Sequence, residues 1–171
     1  MALPPEGPLL GLDVGRRRIG LAVSDPLRVT AQAAGMIDRQ AGAWLERITQ
    51  VAREHEVVGL VIGLPRRTGG ELGSEAEGIV HLGRRLAGRL GLPVVYWDER
   101  LTTRMAEQAL IEGGVSRRRR RSLVDQTAAV LILQSFLDAL RVQGREPAEA
   151  ADAGSILPEE EFGPKESKKN S

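Results

Sequence analysis

The stretch Leu9-Leu10-Gly11-Leu12-Asp13-Val14-Gly15-Arg16-Arg17-Arg18-Ile19-Gly20-Leu21-Ala22-Val23-Ser24-Asp25 constrains this chain more than any other. Two apolar runs, Leu9 to Val14 and Ile19 to Val23, flank a Gly-Arg-Arg-Arg turn, and that spacing predicts a β-hairpin with a short charged loop. Asp13 breaks the pattern. An ionised carboxylate near the end of an apolar strand is costly unless it is paired or ligates a cation. It reads either as a turn residue capping the Val14-Gly15 corner or as a metal ligand at the edge of a sheet. Partners elsewhere in the chain have to decide.

With 171 residues there is room for one domain with a substantial core, built mainly from Leu, Val, Ile and Ala because aromatics make up only 3%. The absence of Cys excludes disulfides and thiolate sites. His55 and His81, far apart and each best read as a surface or boundary helix residue, make a zinc site a poor fit. No apolar run reaches membrane-spanning length and the N-terminus lacks the regions of a signal peptide, so a cytoplasmic protein without membrane contact is expected. From Gly144 onward seven Asp/Glu face four Lys/Arg, leaving the body of the chain net basic. All three lysines lie in that tail, so every cation of the body is Arg, through codon bias or for bidentate phosphate contacts.

Beyond the hairpin, Val29 to Ile37 suggests a third, edge-like strand. Ala41 to Glu54 carries Trp44, Ile48, Val51 and Ala52 at helical spacing. Val57 to Ile62 is a continuous apolar run, as in parallel strands buried on both faces, and Gly63-Leu64-Pro65 ends it. Arg66 to Gly73 reads as a loop, with Ser74 and Glu77 as a capping box opening a helix to about Leu90. Gly91-Leu92-Pro93 precedes a strand over Val94 to Trp97. A helix from about Thr103 to Glu112, a basic loop Ser116 to Arg121 and a last helix from Ser122 to about Val142 follow. The order βββαβαβαα predicts an α/β fold: a mixed five-stranded sheet, three strands antiparallel and two parallel, flanked by helices. Residues 1–143 form the expected domain. Residues 144–171, rich in Pro, Glu, Ala, Gly and Ser, read as a disordered acidic tail.

Ligands of such sheets sit at the carboxyl ends of the parallel strands, where Asp13 and Glu99 both fall. Strand alternation sends Glu99 out from the same face as Val95 and Trp97, although an acid within Asp98-Glu99-Arg100 could equally be an exposed strand end. Asp125 has Ala128, Ala129 and Ile132 three, four and seven residues on, which would place it on a packed helix face. Ser122-x-x-Asp125 is also a capping-box pattern. Three acids at element ends in apolar contexts together suit Mg²⁺ or Mn²⁺, which bind hard oxygens. Two such ions roughly 4 Å apart can drive phosphodiester hydrolysis. Arg16, Arg17, Arg18, Arg66, Arg67, Arg100 and the run Arg117, Arg118, Arg119, Arg120 and Arg121 would give the surface a polyphosphate needs. A charge run is usually a solvated loop, but this one stands just before Asp125.

The pattern Gly11-x-Asp13-x-Gly15-x-x-Arg18-Ile19-Gly20-x-Ala22-x-Ser24-Asp25 resembles the signature of the bacterial YqgF family, described both as pre-16S rRNA nucleases and as Holliday junction resolvases. Gly63-Leu64-Pro65, Trp97-Asp98-Glu99-Arg100-Leu101-Thr102-Thr103 and Val124-Asp125-Gln126-x-Ala128-Ala129-x-x-Ile132-Leu133 extend the resemblance in family order, from about Leu9 to Leu140. It implies a ribonuclease H-like fold with Asp13, Glu99 and Asp125 as catalytic, metal-ligating acids. The expected activity is metal-dependent cleavage of structured nucleic acid, 5′-end processing of pre-16S rRNA, with four-way DNA in recombination and repair as the alternative substrate. A homodimer is admitted. The chain departs from the family pattern in the loop after Pro65, with its Arg66-Arg67, and in its acidic tail. An actin- or hexokinase-like ATPase would need a duplicated domain, for which the chain is too short. A non-catalytic assembly factor would have no reason to keep three such acids.

Overall fold

Strand alternation on the central strand decides how this chain folds. In the computed structural model, which describes residues 2–67, 69–102 and 127–143, β1 (Leu9–Val14) is buried along its length. Leu10, Leu12 and Val14 point to one side, Leu9, Gly11 and Asp13 to the other. A strand with two buried faces needs cover on both. β2 (Arg18–Ser24) returns antiparallel beside β1, and β3 (Ala31–Asp38) pairs antiparallel with β2 at the sheet edge. On the other flank, β4 (Gly59–Leu64) lies parallel to β1, and β5 (Val94–Asp98) parallel to β4. The order is β3-β2-β1-β4-β5, the mixed sheet the sequence predicts.

Two helices cover the first face. α1 (Trp44–Glu54) and α2 (Ser74–Leu90) bury Leu45, Ile48, Ala52, Ile79, Val80 and Leu86 against Leu10, Leu12, Ile19, Leu21, Leu60, Ile62 and Tyr96. The Tyr96 hydroxyl donates to the Val80 carbonyl at 3.0 Å, and a side chain at Gly83 would occupy the space of that ring. α3 (Ala128–Gln143) covers the second face with Ala129, Ile132, Leu133, Phe136 and Leu137, packed on Leu9, Ala22, Val61, Val95 and Trp97. Trp97 fixes this helix twice. Its ring meets Phe136 edge-on at 5.4 Å, and its indole N–H donates to Ser135 Oγ at 2.9 Å.

Several boundaries differ from those expected. The turn is tighter: the Gly15 amide donates to the Arg18 carbonyl at 2.8 Å, so Arg18 opens β2. β3 begins at Ala31 rather than Val29, and α1 begins at Trp44 rather than Ala41, after Ala43 in the left-handed region. β4 starts later than Val57 and runs on through Gly63 to Leu64, because its ladder to Trp97 and Asp98 continues. The capping box at Ser74 does not form. Gly73 is the N-cap of α2 and no side chain caps it, so Ser74 is already the first helical residue. Gly91, at φ 66°, closes the same helix as its punctuation predicts.

The described part of α3 opens at Ala128, and Ser122, where the sequence starts this helix, lies outside the described residues. Thr127 precedes Ala128, with Thr127 Oγ1 accepting from the Val130 amide at 3.4 Å in the manner of an N-cap. The helix expected over Thr103 to Glu112, the loop Ser116 to Arg121, Asp125 and the tail from Gly144 all lie outside the described residues. Among the described residues, no helix is long and apolar enough to cross a membrane.

Candidate active site

Three glycines make the site possible. At the carboxyl ends of β1 and β4 the face beneath α3 changes from branched apolar residues to Gly11, Gly20 and Gly63. A Cβ at Gly11 would lie 2.8 Å from Leu133 Cβ, and one at Gly63 would lie 2.6 Å from Ile132 Cδ1 and 3.0 Å from Glu99 Oε1. Gly20 stands opposite Asp13 in the β1–β2 ladder, facing Ala129. The missing side chains let α3 approach the sheet and leave room beside it for carboxylates.

Asp13 and Glu99 occupy that room. Asp13 projects from the end of β1 on the α3 side. Glu99 follows β5 directly, in the helical residues 99–102, and lies over Gly63 beside Ile132. Its departure from the face of Val95 and Trp97 is as alternation predicts. Both are half-buried, and both carboxyls are pushed above their ordinary values. Burial does this for Asp13. For Glu99, burial comes first, then the nearby charges of Asp13, Glu75 and Asp98. Two acids in one glycine-lined recess, the first raising the proton affinity of the second, have the oxygen chemistry of a hard divalent cation site. Among the described residues no group of three or more His, Asp or Glu could hold a metal, and Asp125, the third predicted acid, lies outside them.

The neighbouring Asp98 plays the opposite role. Its side chain points to the α1–α2 face, as Tyr96 does, and is almost fully buried. Burial would raise its carboxyl, but hydrogen bonds from the Arg100 side chain and amide, with the charges of Arg100 and Arg66, hold it below the usual range. Arg100 Nη2 lies 2.7 Å and Arg66 Nε 3.8 Å from Asp98 Oδ2. The structure thus places two of the predicted phosphate-binding arginines on a buried carboxylate that ties the end of β4 to the end of β5. Arg17, Arg18 and Arg67 are exposed, the first two at the β1–β2 turn and the third on the loop before α2. Arg117 to Arg121 lie outside the described residues. His55, at the C-cap of α1, and His81, on α2, are both exposed, as expected of a boundary and a surface helix residue.

The end of the hairpin signature serves the frame. Ser24 Oγ accepts from the Leu9 amide at 2.8 Å, and the Asp25 carboxylate accepts from the amides of Leu27, Val29 and Thr30. The Thr30 amide contributes most to holding the Asp25 carboxyl low. Gln134 of α3 clasps the same turn, accepting from the Ala31 amide and donating to the Val29 carbonyl. Two residues that no sequence signal marks stand beside the recess. Glu75, in the first turn of α2, is among the charges felt by Glu99. Arg39, at the end of β3, donates to the Gly15 carbonyl at 2.9 Å and stacks over Trp44 at 5.3 Å. Neither lies in a motif or on a periodic face, and only the folded sheet brings them to β1.

This architecture has solved counterparts. Thermus thermophilus RuvC in complex with a Holliday junction substrate superposes with a TM-score of 0.53 at 13% identity, covering 80% of this chain and 96% of that one. The yeast mitochondrial Holliday junction resolvase Ydc2 gives 0.50 at 10% identity, covering 89% and 86%. At such identities the likeness shows the fold, which is the ribonuclease H-like α/β fold of these resolvases. The sequence then makes the assignment narrower: residues 7–139 match the RuvX family, described as Holliday junction resolvase, and the chain belongs to that RuvX/YqgF family. Relatives carrying the name "Putative pre-16S rRNA nuclease" are close. Those of Pelotomaculum thermopropionicum and Moorella thermoacetica are each 47% identical, over 89% and 80% of this chain and 98% of their own lengths.

Proposed function

We propose that the chain is a metal-dependent nuclease, a hydrolase of phosphodiester bonds in structured nucleic acid, and that its substrate is the 5′ region of pre-16S rRNA. The observation that carries this is the placement of Asp13 and Glu99 together, on one face, over glycines at the strand ends of a ribonuclease H-like sheet. Membership of a family of nucleases gives the class of reaction, and the names of the closely similar relatives favour precursor rRNA.

Asp13 and Glu99, with Asp125, would hold Mg²⁺ or Mn²⁺. Such a cation supplies Lewis-acid stabilisation of the phosphate's developing charge and eases deprotonation of the attacking water. The protein's own contribution is orientation and electrostatics. Gly63 and Ile132 fix where the Glu99 carboxylate lies, and the sheet ladder fixes Asp13. Their mutual repulsion in a half-buried recess would be relieved by a cation held between them. Arg17 and Arg18 at the hairpin turn, Arg67 in the loop and the Arg117 to Arg121 run would engage backbone phosphates. Arg66 and Arg100 would do so from a geometry set by Asp98.

The test is cleavage of end-labelled precursor rRNA and of a four-way DNA junction, side by side, with Mn²⁺, Mg²⁺ or EDTA. Cation-dependent cutting of the RNA at a defined 5′ site is expected. Cutting of the junction alone would move the substrate to branched DNA, and cutting of neither would leave a non-catalytic binding protein.

A further inference from the structure

A cleft of about 260 Å³ opens on the opposite side of β1 from the carboxylate pair. Gly15 and Arg16 of the hairpin turn, Arg39, and Glu75 and Gly78 of α2 line it. It adjoins the recess, since Val14 and Gly15 follow Asp13 directly and the Glu75 charge reaches Glu99. A nucleic-acid strand crossing the carboxyl ends of the sheet would therefore meet both.

The cleft's charged side chains are of two kinds, beside apolar Val14 and Ile79 and the Ser74 hydroxyl. Arg39 is held by the Gly15 carbonyl and by the Trp44 ring, so its planar fork is fixed before any ligand arrives. Together with exposed Arg16 it suits a phosphate. Glu75 does not, because a carboxylate beside a phosphate is repelled. A carboxylate is favourable opposite a hydroxyl donor, and the sugar of RNA offers one at its 2′ position where the sugar of DNA has none. We propose that the cleft holds the ribonucleotide next to the scissile phosphate, with Arg16 and Arg39 on its phosphate and Glu75 accepting from its 2′-hydroxyl. Glu75 then selects RNA over DNA. The assignment rests on the nuclease reading above and narrows its substrate.

Full-length protein is titrated with RNA and DNA strands of one sequence, and with RNA carrying single 2′-deoxy nucleotides stepped through the cleavage site. Kd and, with Mn²⁺, the cleavage rate are both read. Wild type should prefer RNA by about tenfold or more, the worth of one hydrogen bond to a charged group, with sensitivity confined to one 2′-deoxy position. Glu75→Leu should lose this preference by weakening RNA binding while DNA binding holds or improves. Glu75→Gln, which keeps an acceptor oxygen, should retain much of it. Gly78→Gln, built into open space on an exposed helix position, should block the cleft and weaken RNA binding at unchanged Tm.

An RNA preference that survives Glu75→Leu overturns the proposal. So does an equal loss on RNA and DNA, which would put Glu75 with the cation-holding acids, or a wild-type preference for DNA. Cleavage without any sugar preference sinks the cleft and leaves the nuclease standing. A sugar preference in Kd that follows Glu75, with no cleavage of any substrate, does the reverse.

Discussion

At the scale of single residues, three adjacent positions at the end of one strand carry three different physical tasks. Asp98 is buried and bound to arginines, Glu99 is half-buried against like charges, and Arg100 holds Asp98 from a partly exposed position. Opposite outcomes follow for their substitution. Asp98→Asn removes a carboxylate held low by its partners, so it should cost about 2 kcal/mol, the worth of hydrogen bonds to a charged group. That contribution is present above the ordinary carboxyl value of 3.8 and is lost as pH falls through the lower folded value. Asp13→Asn and Glu99→Gln should abolish cleavage yet leave the metal-free protein as stable as wild type or more so. Their folded carboxyls titrate above the ordinary 3.8 and 4.5, so ionisation opposes folding, and the gain should be seen at neutral pH and fade in acid. Thermal melts of the three variants from about pH 2 to 7.5 check both signs.

At the scale of elements, the glycines of the α3 face set how closely helix and sheet approach. Gly63→Ala would push a methyl into Ile132 and the Glu99 carboxylate, and should destabilise by about 1–3 kcal/mol while displacing Glu99. Gly88→Ala, in α2 with open space around it, should instead stabilise by about 0.5–1 kcal/mol. Denaturant melts give both values, and cleavage should fall only for Gly63→Ala. These elements also show what a sequence can and cannot reveal. The hairpin, the parallel strands and the helix faces are legible because burial on two faces leaves continuous apolar runs and burial on one leaves a period. The capping box at Ser74 misleads because Gly73 offers an N-cap without a side chain, and local pattern does not weigh the two. Asp13 is conspicuous as a charge in an apolar strand. Glu75 and Arg39 are invisible because their meaning comes from which elements the sheet brings together.

At the scale of the whole molecule, the described elements form two cores on either side of one sheet, and Gly144 lies just past the last described helix. A chain ending there should melt with the full-length protein. It should bind nucleic acid equally or more tightly at low salt, since the removed segment carries seven acids against four bases. Earlier melting, or weaker binding, would mean that the tail docks on the body or touches substrate. Neutralising Arg117 to Arg121 should flatten the dependence of log Kd on log salt by about 0.7–0.9 for each phosphate that the protein no longer neutralises. An unchanged slope would make that run a solvated loop.

The central claim is that Asp13, Glu99 and Asp125 form one cation-dependent nuclease centre. Its most direct test is the single-turnover cleavage rate of precursor rRNA by wild type and by Asp13→Asn, Glu99→Gln and Asp125→Asn, each with Mn²⁺ titrated from EDTA. The account predicts a wild-type rate that rises saturably with the cation and falls to background in EDTA, with all three variants near background at every concentration and with unreduced Tm. Cleavage that persists in EDTA, or a variant cutting at the wild-type rate, would contradict it.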